Sequence, residues 1–385
     1  MRLNKEQLAK IQKKYGVDKI WSFSRVNSFH QCPWDFWSHY IEHMKLDSSN
    51  VYTDFGTFSH NNIQAGNTDL IDREEMINRW DKFVDDWSHN PNVHHFDSEK
   101  IKLGYINNLS HYYRNTELLW QEGAQNIKNE LPVITLINHA KYVFVGYIDT
   151  KYTDKNGNIV LVDYKTSSKS SFSKSKMPEK SEQLLLYALG VHQMTGVPLN
   201  KIKARFDMMK YVIVHYKQEN GKWNTSVQER RMWVSKMSKK INTKLKKASV
   251  DPEKIDEMLT IASLNNNLDN LPEFIKEQFY ITNYYIEIDI SEESVNKVAE
   301  KISKECQEIV EFENLSKDDQ ISYMEINHPY DESNYFDRHL CAYHTSSLFK
   351  KQEGIEEKDD SPLEDFFESN NSQEESEDLI STLFS

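Results

Sequence analysis

Two strand-like segments joined by a short turn constrain this chain more than any other stretch. GYID, ending at Asp149, and VDYKT, containing Asp163 and Lys165, flank the turn DKNGN. Side chains two apart on a strand share a face, so Asp163 and Lys165 look one way and Tyr164 the other. Cross-strand neighbours also share a face, which makes the loop length decisive. A two-residue loop at Asn156-Gly157 sets Asp149 opposite Tyr164 and separates the carboxylates. A three-residue loop of Lys155, Asn156 and Gly157, with Gly157 left-handed after a type I turn, sets Asp149 opposite Asp163 instead. An odd loop or a bulge is therefore predicted, because it brings two carboxylates and one ammonium to a spot that can hold a divalent metal.

Hydrophobic periodicity orders the rest of the chain. Residues 3–14 read as a short amphipathic helix. SFSRVNSFHQCPWDFWSHYI follows, with Ser24 as the expected N-cap, apolar contacts from Val26, Phe29, Phe36, Trp37 and Tyr40, and an interruption near Pro33. Residues 54–129 read as mostly helical. Strands are expected at 131–137, 142–153 and 158–166, a helix at 179–195 and a strand at 205–216. A second hairpin is expected where 210–216 and 223–228 flank Gly221, and helices at 230–248 and 291–312. The segments drawn from this are an N-terminal helical region (1–130), a core with the hairpin and a basic helix (131–250), a helical and strand segment packing on the N-terminal helix (251–350) and an acidic disordered tail (351–385).

With 385 residues the chain is long enough for a large core. Its 11 glycines include no G-x-x-x-x-G-K-[ST] and no G-x-G-x-x-G, which argues against a nucleotide-driven motor. The first residues lack an apolar run followed by a cleavage site, and no stretch approaches bilayer length, so a cytoplasmic protein is expected. A composition rich in Asn, Lys and Ile fits an AT-rich genome such as a phage's, and then the host cytoplasm. The net charge of −13 is misleading as a guide to partners, because twelve acids against one lysine lie from Glu353 onward. Between 160 and 250, nineteen Lys and Arg face six acids. That block starts at the carboxylate pair, so nucleic acid is the expected partner, and a solvated lysine-rich face is the plainer alternative. Lys169, Lys174, Lys176, Lys239 and Lys240 are its candidate contacts. Apolar islands at Leu363 to Phe367 and Leu379 to Phe384 make the tail a candidate docking segment for a helicase or a replication or recombination protein.

Five motifs in order, SFSRVNSFHQCPWDFW, GTFSH ending at His60, GYID, VDYKT and QLLLY from Gln183 to Tyr187, resemble the PD-(D/E)XK nucleases and within them the RecB-like exonuclease branch. The resemblance covers roughly residues 20–216, with a fainter echo near 328–350. It implies an α/β fold, a restriction-endonuclease-like core with a central mixed β-sheet flanked by helices, plus the N-terminal helical cap. It also implies Asp149, Asp163 and Lys165 as catalytic residues. His60, Asp149, Asp163 and the carbonyl of Tyr164 would bind magnesium or manganese, Lys165 would position the attacking water, and Gln183 with Tyr187 would line the DNA path. Hard oxygen ligands suit such a cation, and a lysine supports a nucleophile or a developing anion. His60 has a plainer reading as a structural hydrogen-bonding group, and Gln183 and Tyr187 one as residues capping a core edge.

Many relatives in that branch carry a four-cysteine iron-sulfur cluster. Here Cys32 and Cys341 fit two places, His344 and Lys350 occupy the others, and Cys306 is out of register, so a cluster is not expected. Buried inert thiols are the plain reading, and a remnant site of Cys32, Cys341 and His344, with Cys306 as a fourth ligand, is the other. In place of a cluster, Trp34, Trp37, Tyr335 and Phe336 are expected to hold the C-terminal segment. The function read from all this is a metal-dependent DNA exonuclease acting on single-stranded ends or flaps in recombination, repair or replication. The alternatives are a DNA-binding or assembly protein in which cutting is incidental, and the nuclease subunit of a separate helicase.

Overall fold

The computed structural model describes residues 2–46, 49–91 and 93–352, without the side chain of Tyr335. The acidic segment from Glu353, with both apolar islands, lies outside the described residues. Helix α1 (Lys5–Tyr15) opens with a capping box between Asn4 and Gln7 and stops at Gly16 in the left-handed region. The two-residue strand β1 (Ile20–Trp21) leads into α2 (Phe23–Gln31). Ser22, not Ser24, caps α2: it is the first residue past β1, its backbone is still extended, and its hydroxyl accepts from Arg25 N. Cys32 breaks the helix before α3 (Pro33–Phe36), and a π turn (Trp37–Ile41) ends this arm.

Three helices of equal length then form a cap: α4 (Val51–Asn67), α5 (Arg73–His89) and α6 (Glu99–Asn115). Strand β2 (Gln125–Ile137) begins six residues before the expected start. Its first half lacks apolar alternation because it is interrupted: pairing shifts between Gln125 and Lys128, and Asn126 and Glu130 have positive φ. Strands β3 (Tyr142–Thr153) and β4 (Ile159–Lys165) follow, then α7 (Met177–Lys180) and α8 (Glu182–Thr195), then β5 (Ile202–Lys217) and β6 (Trp223–Glu229). The C-terminal half contains α9 (Trp233–Lys247), α10 (Pro252–Asn265), α11 (Glu273–Lys276), β7 (Phe279–Ile288), α12 (Glu292–Glu313) and α13 (Lys317–Asn327). Three short helices close it: α14 (Tyr335–His339), α15 (Ala342–Thr345) and α16 (Ser347–Gln352).

The seven strands make one mixed sheet flanked by helices, the predicted architecture. β2 runs antiparallel along one edge of β3; β1, in parallel, and β4, antiparallel, share its other edge. β4 pairs in parallel with β5, the α8 crossover joining them, and β5 carries antiparallel β6 and β7. Alternation along β4 divides the core: Ile159 and Leu161 pack with α2, α8 and α12, whereas Val160, Val162 and Tyr164 pack under the cap. Tyr112 of α6 ties the cap to β5, its hydroxyl donating to the buried Asp207 at 2.8 Å. Trp34 stacks on Tyr343, Trp37 Nε1 donates to Gln320 Oε1, and Phe336 packs on the main core; these bind the C-terminal segment to the N-terminal arm. Among the described residues no helix is long and apolar enough to cross a membrane.

Candidate active site

The turn between β3 and β4 is the predicted three-residue loop. The ladder runs from Thr150 opposite Val162 to Thr153 opposite Ile159. Asp154 N then donates to the Asn158 carbonyl, and Gly157 N to the Asp154 carbonyl, each at 2.9 Å. Lys155, Asn156 and Gly157 are the loop, with Gly157 at φ 77° where a Cβ would be strained. The Asp154 carboxylate fastens it, accepting from Asn156 N, Asn158 N, Asn158 Nδ2 and Lys203 Nζ. One rung beyond Thr150, this register sets Asp149 opposite Asp163. There the strands part, and Tyr164 N donates to Asp149 Oδ2 at 3.1 Å.

Helix α4 reaches the same place with one face. Gly56, His60, Gln64 and Asn67 recur at helical spacing. His60 Nδ1 lies 3.2 Å from Asp149 Oδ2. Gln64 Nε2 donates to the Asp149 carbonyl at 2.8 Å, and Asn67 Nδ2 to the Tyr164 hydroxyl at 2.9 Å. A Cβ on Gly56 would meet Thr166 at ordinary contact distance. His60 is therefore drawn to the strands by the residues one and two turns after it.

Asp163 and Lys165 lie on one side of β4, with Lys165 Nζ 2.7 Å from Asp163 Oδ1. Burial disfavours charge throughout the cluster, and charge partners oppose it. For Asp149, burial is outweighed by the His60 hydrogen bond and charge, by Lys165 and by the Tyr164 N–H, so its carboxyl is held below the usual range. For Asp163, burial and the Asp149 charge prevail over Lys165, and its carboxyl is raised. His60 and Lys165 are also raised, because the carboxylates outweigh burial. Two like charges in one partly buried pocket, each leaning on a cation, form an arrangement that an added divalent cation relieves. In donor chemistry the carboxylate oxygens of Asp149 and Asp163 suit such an ion, with the His60 imidazole held against Asp149.

Gln183 and Tyr187 sit one turn apart on α8, with Gln183 Nε2 donating to the Tyr187 hydroxyl at 2.9 Å. The Tyr187 ring lies on the backbone of β3 at Gly146, where a Cβ would come within 2.6 Å of Cζ. Both carboxylates act on the Tyr187 hydroxyl, which burial raises first of all. Tyr187 is therefore at the edge of the carboxylate pocket.

A groove of about 1010 Å³ opens beside His60 and Lys165. It runs between the cap, through Tyr52, Lys100 and Tyr105, and the opposite wall, through Lys210 and Tyr211 of β5 and Arg231 in the turn after β6. Lys210 and Tyr211 sit in the stretch of β5 where pairing with β7 lapses between Asp207 and Val212. Lys210 Nζ stands 3.6 Å over the Tyr105 ring, and burial lowers its pKa to about 8. Sequence reasoning missed Lys210, Gln64 and Asn67. A lysine in the apolar run MMKYVIV was the available signal for the first.

Of the five candidate lysines, only Lys169 adjoins this groove, its N–H donating to the Tyr211 hydroxyl at 3.0 Å. Lys174 lines a separate cavity with Glu182, Glu287 and Lys301. Lys176 is exposed just before α7. Lys239 is exposed on α9, and Lys240 lies 4.4 Å over Tyr216 beside yet another cavity. The reason is helical amphipathy: α9 buries Trp233, Val234, Met237, Ile241 and Leu245, which turns its lysines to its outer face, away from the carboxylates. Cys32, Cys341 and His344 come together far from these groups in sequence, without Cys306.

The PD-(D/E)XK nuclease superfamily matches residues 20–320 of the chain. A comparison with curated proteins returns no match. The matched span contains the whole sheet, the hairpin and the cap helix that carries His60. That span is more than half of the chain, which therefore belongs to the PD-(D/E)XK nuclease superfamily.

Proposed function

We propose that this nuclease is a metal-dependent deoxyribonuclease that degrades single-stranded DNA ends or flaps, a RecB-like exonuclease. The observation that carries the reading is the convergence of Asp149, Asp163, Lys165 and His60 at the end of an aromatic and basic groove. Asp149, Asp163 and the Tyr164 carbonyl would hold magnesium or manganese, with His60 beside them. That ion supplies charge neutralisation at the phosphate and a water of lowered pKa. Lys165, tethered to Asp163, holds the attacking water or the oxygen anion that develops on the phosphate. His60 steadies Asp149 from the cap.

Tyr52 and Tyr211 offer ring surface to unpaired bases, while Lys100, Lys210 and Arg231 attract the backbone. Stacking of this kind needs bases free of a duplex, which supports single-stranded DNA as substrate. Recombination, repair or replication is the setting such a substrate implies. Digestion of end-labelled and end-blocked single- and double-stranded DNA in magnesium or manganese tests the proposal. Release of labelled mononucleotides or short products from free single-stranded ends is the expected result. Internal cutting of end-blocked circles would replace the exonuclease reading, and binding without any cleavage would favour the assembly-protein alternative.

A further inference from the structure

Away from the carboxylate pocket, the described residues bring metal-ligating side chains together at the junction of the N-terminal arm and the C-terminal segment. Cys32, Cys341 and His344 are all buried there, with ligand atoms within 4.8 Å of one another. Cys32 lies in the break between α2 and α3, Cys341 caps α15, and His344 follows within that helix. The two sulfurs are 3.1 Å apart, well beyond a bond length of about 2.05 Å, and both thiols are free.

An iron-sulfur cluster does not fit these donors. It takes about four thiolates, and the third cysteine of the chain, Cys306, is packed in the core on α12, outside the group. Lys350 offers no ligand to such a cluster. Two sulfurs and one imidazole, in contrast, make a donor set that zinc takes with tetrahedral geometry, one position being left for solvent.

We propose that Cys32, Cys341 and His344 bind one zinc ion, which fastens the C-terminal segment to the N-terminal arm. The surrounding contacts hold the donors as such a site requires. The Asp35 carboxylate accepts from Ala342 N at 3.1 Å and from Tyr343 N at 2.7 Å, fixing the turn that presents both Cys341 and His344. Asp337 Oδ1 lies 3.5 Å from His344 Nδ1, in the place of the carboxylate that orients metal-ligating histidines. His344 N points to Cys341 Sγ at 3.5 Å, a backbone N–H placed to stabilise a thiolate. The need for an anchor is also local. α14, α15 and α16 have five, four and six residues, well under the roughly 12 a helix needs to persist without tertiary support.

Elemental analysis of the full-length protein, purified without chelator and exchanged into magnesium buffer, tests this. One zinc per chain is expected, retained in an Asp163→Asn protein and lost in Cys341→Ser and His344→Ala proteins. Cobalt substitution adds a spectroscopic readout, since thiolate ligation gives an intense near-ultraviolet charge-transfer band that should be weakened or lost in the Cys32→Ser protein. If a variant fails to fold, zinc content and the thiol mass of the parent still decide the matter. A parent with no zinc, whether its thiols are free or joined as a disulfide, overturns the proposal, as does iron with inorganic sulfide in place of zinc.

Discussion

His60 Nδ1 and Asp149 Oδ2 meet at 3.2 Å although 88 residues separate them, one on a cap helix and the other on a central strand. Gln64, one turn further along α4, grips the carbonyl of the same aspartate at 2.8 Å. The cap thus holds Asp149 by its side chain and its backbone together. Replacing His60 with Ala should lower the cleavage rate about 10- to 100-fold, the usual effect of removing such a partner. Gln64→Ala should give a smaller loss, at the low end of that range, because only the anchor of the histidine is removed. Single-turnover rates at saturating magnesium check both; equal, full activity in His60→Ala would remove His60 from the site.

Lys210 is a groove cation held close to losing its charge. Burial depresses its pKa to about 8, with Arg231 adding to the effect and Glu229 opposing it. The charged fraction therefore falls from about nine-tenths at pH 7 to about one-tenth at pH 9. Single-stranded DNA affinity, measured with a non-cleaving Asp163→Asn protein, should weaken over that interval. Lys210→Arg keeps its charge and should flatten the profile. An unchanged profile in the two proteins would place the DNA elsewhere.

Gly146 supplies room for the Tyr187 ring. Gly146→Ala puts a methyl group within 2.6 Å of Tyr187 Cζ, so the ring has to leave its seat on β3. Overpacking of this kind costs about 1–3 kcal/mol, and here it should also weaken DNA cleavage because Tyr187 borders the carboxylates. Urea unfolding together with initial rates separates the two effects. A Gly146→Ala, Tyr187→Ala double variant should be no less stable than Tyr187→Ala alone, since the clash is gone, and should not recover activity.

The hairpin loop should be acid-sensitive. Burial acts to raise the Asp154 carboxyl, but hydrogen bonds from Asn158, Lys203 and Asn156 hold it well below its ordinary value. A carboxyl lowered in the folded state stabilises fully above its unfolded pKa, and that contribution drains away as pH falls toward the folded pKa. Between about pH 5 and pH 2 the parent should therefore lose more of its urea midpoint than an Asp154→Asn protein does. Parallel losses in the two would show that Asp154 does not fasten the loop.

How much of this was legible follows the distance over which each feature is decided. The three-residue loop and the side shared by Asp163 and Lys165 are local, and Gly157 with strand parity was enough to place them. Most strand and helix positions followed from periodicity for the same reason. The start of β2 did not, because the irregular segment Gln125–Leu131 pairs through a bulge rather than by alternation. β7, within 251–350, has strand composition in FYITNYYIEI, but its place is decided by its partner β5, over 60 residues earlier. Gln64 and Asn67 act only across the interface of α4 with the hairpin, which no local pattern announces. Lysine density along the chain carries no direction: α9 has its lysines on the face opposite to its buried stripe, while the lysine inside the apolar run MMKYVIV of β5, Lys210, reaches the groove.

The central claim is that Asp149, Asp163 and Lys165 act as one metal-dependent cutting centre. The direct measurement is magnesium-dependent hydrolysis of end-labelled single-stranded DNA by the parent and by Asp163→Asn, with matched circular dichroism and DNA affinity. Intact folding and binding with a loss of rate of at least about a hundredfold are the expected result. An Asp163→Asn protein that cut DNA as fast as the parent in magnesium would contradict it.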